Sequence, residues 1–245
     1  MMSEDKNVAV IFAGGSGRRM NTGARPKQFL ELHGKPIIVY TLELFEGHPE
    51  IDAIYVACIE GWIPFMNLLV DKYGLHKVHA IVAGGQTGQD SIFNGLQAAA
   101  KDCKNIDSTV VLIHDGVRPL INSQTISDNI YEARRCGSCI TCVPTTETFV
   151  LKAADGNLNI PLRQDCLIAR APQTFMLGDI LNVHQLARQE GHHDYIDSLT
   201  LMKHYGARIG TVLGPMENIK ITTPTDYFIF KAIVEARENS QIFGI

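Results

Sequence analysis

Four short apolar runs, Asn7–Ala13, Ala53–Ile59, Val78–Ala83 and Thr109–Asp115, alternate with segments of helical spacing near Ile37–Gly47, Ile63–Tyr73, Ser91–Lys101 and Ser123–Arg135. That alternation limits the fold more than any other feature of the chain. Successive strands joined through crossover helices lie parallel, with helices on the sheet faces, so an α/β fold with a mixed, mostly parallel sheet is expected. Cys139–Pro144 begins a further strand, after which Thr145–Asp165 breaks the rhythm with polar residues, Gly156 and Pro161. This insert reads as a protruding arm or hairpin, about residues 145–165. Beyond it, helices near Asp179–Glu190, Asp197–Tyr205 and Thr225–Glu238 enclose two expected strands, Ala207–Leu213 and Ile219–Thr222. A length of 245 residues with 45% hydrophobic content supplies a sizeable core, and no repeat or Pro/Ser-rich linker divides it. The expectation is a single domain, 1–245, carrying the arm.

The first strand runs into Gly14-Gly15-Ser16-Gly17-Arg18-Arg19-Met20, followed at loop distance by Arg25-Pro26-Lys27-Gln28-Phe29. Glycines let successive backbone amides approach a ligand without a Cβ clash and point at phosphate oxygens. Arg18, Arg19 and Lys27 add positive charge where two phosphates would otherwise repel. At about 4 Å and an effective dielectric of 20, each such pairing is worth roughly 4 kcal/mol. Two common phosphate motifs are excluded. There is no G-x-x-x-x-G-K-[ST] run, and Met20 stands where G-x-G-x-x-G needs its third glycine. A solvated, glycine-rich strand-to-helix turn would explain the glycines alone, but not the attached Pro26-Lys27-Gln28.

A net charge of −4 excludes a broadly basic nucleic-acid or anionic-membrane surface, so positive charge must be concentrated at a small-molecule site. No apolar stretch reaches membrane-spanning length and Met1–Lys6 lacks a signal-peptide core, so the cytoplasm is expected. Six cysteines include the evenly spaced Cys136, Cys139 and Cys142. Thr146 occupies the position of a fourth cluster ligand, and residues three apart on a strand point to opposite faces. These thiols are therefore read as small buried hydrophobes. The neighbouring His192, His193 and Asp194 read as loop residues rather than ligands.

In open α/β sheets ligands sit outside the carboxyl ends of the strands. The glycine turn, Gly84-Gly85 and Asp115 all follow strands at that edge, which should bring three distant segments to one site. Asp115 closes a Val-Val-Leu-Ile run, a position suited to a carboxylate that holds Mg²⁺ or a ribose hydroxyl; Glu217 is the second metal candidate. A helix-capping or loop aspartate is the plainer alternative for Asp115.

Ala13-Gly14-Gly15-x-Gly17-x-Arg19-Met20 with Pro26-Lys27-Gln28 resembles the signature of nucleotidyltransferases acting on sugar and sugar-alcohol phosphates. The nearest resemblance is to cytidylyltransferases for 2-C-methyl-D-erythritol 4-phosphate and for ribitol 5-phosphate. Later landmarks keep the same order: Gly84-Gly85 with Asp90-Ser91, His114 to Pro119, Arg163, Ala171 to Phe175, and Asn218 to Thr222. The resemblance implies a Rossmann-like nucleotidyltransferase fold of the glycosyltransferase-A type. It also implies CTP and a sugar-alcohol phosphate as substrates, Mg²⁺ held mainly with the CTP phosphates, and a homodimer formed through the arm, with no nucleic acid or membrane as partner. By the same resemblance Arg19, Lys27, Lys220 and Arg163 are the catalytic set. Ala13, Gly14, Gly15, Ser16, Gly17, Gly84, Gly85, Asp90, Ser91 and Gly116 bind the nucleotide. Asp115, Arg118, Thr148, Arg163 and Lys220 bind the acceptor, with Arg163 and Thr148 serving the neighbouring subunit's site.

The reaction so implied is in-line attack of the acceptor phosphate on the α-phosphorus of CTP with loss of pyrophosphate, driven by positioning and charge. Methylerythritol 4-phosphate, of the isoprenoid precursor pathway, is the expected acceptor because its reaction is the more widespread and Arg18-Arg19-Met20 fits that branch. Ribitol 5-phosphate, giving CDP-ribitol for cell-surface polymers, is the alternative: Gly116-Val117 and Ala171 depart from the usual methylerythritol pattern, and Val117 and Trp62 look more like the ribitol branch. A sugar-1-phosphate nucleotidyltransferase using UTP or GTP is more distant. A silent nucleotide-binding module is the reading outside enzymes, since the family's usual loop arginine is replaced here by the run Gln86 to Asp90.

Overall fold

The computed structural model describes residues 5–15, 25–193 and 195–243. In chain order its elements are β1 (Asn7–Ala13), β2 (Glu31–Leu32), β3 (Lys35–Pro36), α1 (Ile37–Glu46), β4 (Ala53–Cys58), α2 (Ile63–Tyr73), β5 (Val78–Ala83), α3 (Gly88–Asp102), β6 (Val110–Asp115), α4 (Ser123–Cys136), β7 (Ser138–Pro144), β8 (Leu151–Lys152), β9 (Leu158–Asn159), β10 (Leu167–Met176), α5 (Leu177–Gln189), α6 (Ser198–His204), β11 (Gly210–Leu213) and α7 (Pro224–Phe243). Seven strands form one sheet in the order β11-β7-β10-β6-β1-β4-β5. Only β10 runs against its neighbours, pairing antiparallel with both β6 and β7, so the sheet is mixed and mostly parallel as expected.

The apolar runs lack polar alternation because the sheet is covered on both faces. Ala9 and Ile11 of β1 pack with α1, α2 and α4, while Val8 and Val10 face α3, α5 and α6. A third cluster joins Leu32 and Ile37 to Val117, Ile221 and Phe230 of α7. None of the helices among the described residues is long and apolar enough to cross a membrane.

Besides the short β2–β3 pair and a last strand that begins at Gly210 rather than Ala207, the structure departs from expectation at two places near the site. Ile219–Thr222 is not a strand: it is irregular chain held to the post-β6 loop by the Ile221 amide, which donates to the Val117 carbonyl. In the other direction, β10 is a strand that its own residues do not announce. Its run contains Arg170 and Pro172, and a proline ordinarily argues against a central strand; the sheet accommodates it where the β7–β10 register shifts, between Ala169 and Gln173. The insert forms the expected hairpin, β8 against β9, with Leu151, Leu158, Ile160 and Leu162 exposed. All six cysteines are free, and Cys139 and Cys142 are buried. No group of three or more metal-ligating side chains occurs among the described residues.

Candidate functional site

The chain leaving β1 at Gly14 crosses close to the start of α3. A Cβ on Gly14 would sit 2.6 Å from Ser91 Oγ, and one on Gly85 would overlap the Asp90 side chain. Glycine is required at both positions by close approach rather than by backbone angle. Ser91 Oγ accepts from the Gly85 amide at 3.0 Å and donates to the Thr87 carbonyl at 3.0 Å, which knits the loop after β5 to the helix. The resulting cleft of about 420 Å³ is lined by Gly14, Gly15, Lys27, Gly85, Asp115 and Lys220 among others.

Lys27 is buried, and its Nζ donates to the Ile221 carbonyl at 2.9 Å. The neighbouring Gln28 donates to the Ala13 carbonyl at 2.6 Å, and Phe29 stacks on Trp62 with ring centroids 4.8 Å apart. These contacts hold the lysine-bearing turn against both the end of β1 and the 219–222 segment.

At the floor, Asp115 is buried between two cations. Its Oδ2 accepts from Arg118 Nε at 2.7 Å and its Oδ1 lies 2.5 Å from Lys220 Nζ. Burial alone would raise the Asp115 carboxyl, but the charges and hydrogen bonds of Lys220 and Arg118 hold it well below the usual carboxylate range. Arg118 also donates to the Asn218 carbonyl at 2.9 Å, and Asn218 Nδ2 donates to the Ala171 carbonyl at 2.7 Å. In the sequence Asn218 is no more than a landmark, yet this fully buried side chain ties the Lys220 segment to β10. A second cleft of about 260 Å³ opens on the other side of the same floor and shares Phe12, Gly88, Asp115 and Lys220 with the first.

The structure thus brings Ala13, Gly14, Gly15, Lys27, Gly85, Ser91, Asp115 and Lys220 to one cleft. Gly84 and Gly116 lie directly behind that lining, each with its Cβ direction blocked, by Ser91 and by Ala13. Arg118 lines the second cleft. Asp90 completes the capping box of α3 with Thr87 and pairs with Arg188, so its carboxylate is engaged within the protein. Arg163 and Thr148 do meet, Nη2 donating to Oγ1 at 3.3 Å, but on the exposed arm, and neither lines either cleft. Glu217 pairs with Arg237 of α7 at 3.3 Å and likewise lines neither. Ser16, Gly17, Arg18 and Arg19 lie outside the described residues.

Two buried histidines flank this region. Burial pushes His114 and His184 down to about 4, so both are neutral at pH 7. Unfolded histidine titrates near 6.5, so the unfolded chain takes up protons first and stability falls as pH drops from about 6.5 towards 4. Acidification from pH 7 to 5 is expected to cost about 2 kcal/mol per histidine. Thermal melts of wild type and His184→Phe across that range check this: the substitution should flatten the slope, and parallel slopes would refute it.

Residues 7–236 match the family described as 2-C-methyl-D-erythritol 4-phosphate cytidylyltransferase, IspD. A ribitol-5-phosphate cytidylyltransferase of Streptococcus agalactiae serotype V is 52% identical over 240 residues, spanning 98% of this chain and 99% of that protein. A 2-C-methyl-D-erythritol 4-phosphate cytidylyltransferase of Clostridium botulinum strain Loch Maree is 37% identical over 231 residues, spanning 94% and 98%. Among solved structures, 4-diphosphocytidyl-2C-methyl-D-erythritol synthase of Anaerococcus prevotii matches with a TM-score of 0.80 at 24% identity, covering 95% of this chain and 97% of that one. That last likeness is one of fold.

Proposed function

The chain belongs to the 2-C-methyl-D-erythritol 4-phosphate cytidylyltransferase family, and on that premise we propose that it transfers CMP from CTP to ribitol 5-phosphate, giving CDP-ribitol and pyrophosphate. The observation that carries the acceptor is the 52% identity to a ribitol-5-phosphate enzyme, end to end, against 37% to a methylerythritol one. The expectation of methylerythritol rests on how widespread that reaction is and on Arg18-Arg19-Met20, and it gives way to this. Val117, which lines the first cleft, agrees with the ribitol reading, and Ala171, which lines the second, departs from the methylerythritol pattern.

An oxygen of the acceptor phosphate attacks the α-phosphorus of CTP, the new P–O bond forms, and the bond to the bridging oxygen breaks as pyrophosphate leaves with its electron pair. No covalent enzyme intermediate is needed. The glycine turn and the Gly84-Gly85 loop hold the nucleotide, with Ser16, Gly17 and Ser91. Lys27, Lys220 and Arg19 stabilise charge around the α-phosphate. Arg118 and Lys220 receive the acceptor phosphate, with Arg163 and Thr148 reaching it from a second subunit's arm; the exposed apolar hairpin supports such a homodimer. Among the described residues Asp115 is the one carboxylate lining both clefts, and its two oxygens are engaged by Lys220 and Arg118, so Mg²⁺ that arrives with CTP would take its ligands mainly from phosphates and water, with Asp115 contributing an oxygen only on release of Lys220. Such an ion would offset triphosphate charge; Glu217 lines neither cleft, which speaks against it as a protein ligand. Six free cysteines accord with a reducing cytoplasm.

The test offers CTP with ribitol 5-phosphate, methylerythritol 4-phosphate and ribulose 5-phosphate, then UTP and GTP with the best acceptor, reading pyrophosphate release. Ribitol 5-phosphate with CTP should exceed every other pairing in kcat/KM by at least tenfold. Preference for methylerythritol 4-phosphate would overturn the acceptor, and turnover of none would overturn the reaction.

A further inference from the structure

The second cleft holds a group of polar atoms that the fold leaves without partners. Arg170 Nε, Ser198 Oγ and both ring nitrogens of His184 are buried with no hydrogen-bond partner, and all three residues line this one cavity. Ser198 and His184 are 2% and 1% exposed, so solvent at the surface does not satisfy them. Arg170 forms no ion pair among the described residues, and the like-charged Arg118 repels it, adding to burial in lowering it. Gln173 sits on the same wall, its Oε1 accepting from the Leu199 amide at 2.9 Å, which leaves its two N–H donors for other use. Buried polar groups in native proteins are almost always satisfied, and a cluster of exceptions around one cavity points to a polar occupant.

The cavity's position says what that occupant is. It meets the CTP cleft at Asp115 and Lys220, where the reacting phosphate must lie. A polyol phosphate anchored there by Arg118 and Lys220 projects its hydroxyl-bearing chain away from the nucleotide and into the second cleft. Its hydroxyls can both donate and accept, which suits a guanidinium, a carboxamide, a serine hydroxyl and a neutral imidazole together. We propose that Arg170, with Ser198 and Gln173, is a specificity-determining acceptor site of this chain, reading the hydroxyls of a linear polyol phosphate. This rests on the cytidylyltransferase reading above and adds to it the residues that select the acceptor.

Arg170→Leu should raise KM for ribitol 5-phosphate at least tenfold while KM for CTP changes less than twofold, and Arg170→Lys should recover part of the loss. Ser198→Ala should raise the same KM severalfold without lowering Tm, because it removes a hydroxyl that satisfies nothing in the free protein. It therefore keeps the test open if Arg170→Leu folds poorly. Wild type should also prefer ribitol 5-phosphate to glycerol 3-phosphate, and Arg170→Leu should narrow that preference. If wild type turns over an acceptor whose KM neither substitution moves, this proposal fails while the cytidylyltransferase reading stands. If wild type turns over none of the polyol phosphates, both fail.

Discussion

Lys27→Ala is expected to lower kcat/KM by about a thousandfold, equivalent to about 4 kcal/mol of lost transition-state stabilisation. Most of that loss should fall on kcat, since charge builds around the α-phosphate only as the reaction proceeds and an interaction strengthened there raises kcat rather than ground-state binding. The geometry supports an effect of this size. Lys27 is buried in the wall of the cleft beside the glycine turn, with its own turn fixed by Gln28 on the end of β1 and by the Phe29–Trp62 stack. A preorganised cation in such a site does not have to reorganise during the reaction. The fold should survive, because the hydrogen bond from Lys27 to the Ile221 carbonyl is worth only about 1 kcal/mol, and the backbone of the turn keeps its other anchors. Steady-state kinetics beside a thermal melt checks both parts. Turnover within tenfold of wild type in a folded Lys27→Ala protein would remove Lys27 from the reacting centre.

How much of the fold and site is legible in the sequence depends on whether the signal is local. β1, β5 and α2 announce themselves within their own residues, by apolar runs and by helical spacing bounded by Gly74. The strand-end rule places Gly14, Gly85 and Asp115 together correctly, because a parallel sheet fixes which ends converge. β10 is hidden because its stability comes from two antiparallel neighbours that overrule Arg170 and Pro172. Ile219–Thr222 misleads in the opposite way: Ile219 and Ile221 pack with Val117 and α7 rather than in a sheet. Asp90 and Glu217 are carboxylates whose partners, Arg188 and Arg237, lie 98 and 20 residues away, so no spacing could reveal them. Arg170 and Ser198 are unreadable for the same reason, since only the packed cavity makes them unsatisfied. Arg163 and Thr148 follow from resemblance alone, and the arm does bring them into contact.

Asp115→Asn should damage stability and activity together, unlike Lys27→Ala. The substitution keeps the size of the side chain but removes the carboxylate that compensates both Lys220 and Arg118, leaving the buried Arg118 unpaired and facing the part-exposed Lys220. Breaking a buried pair in this way costs about 3 kcal/mol or more, which for a chain of this size lowers Tm by about 10 °C. The pH dependence gives a separate signature. Burial opposes ionisation of Asp115, yet Lys220 and Arg118 hold its folded value well below the unfolded one. Its contribution is therefore fully present above the unfolded value of about 3.9 and is lost as pH falls below that towards the folded value. Wild type should show this acid limb, and Asp115→Asn should lack it while already starting lower at pH 7. Activity measured well below the variant's Tm should fall at least a hundredfold in kcat/KM, because Lys220 loses the partner that orients it. A variant as stable as wild type would show that the pair is not a structural keystone of the floor; one that is folded and fully active would remove Asp115 from the chemistry.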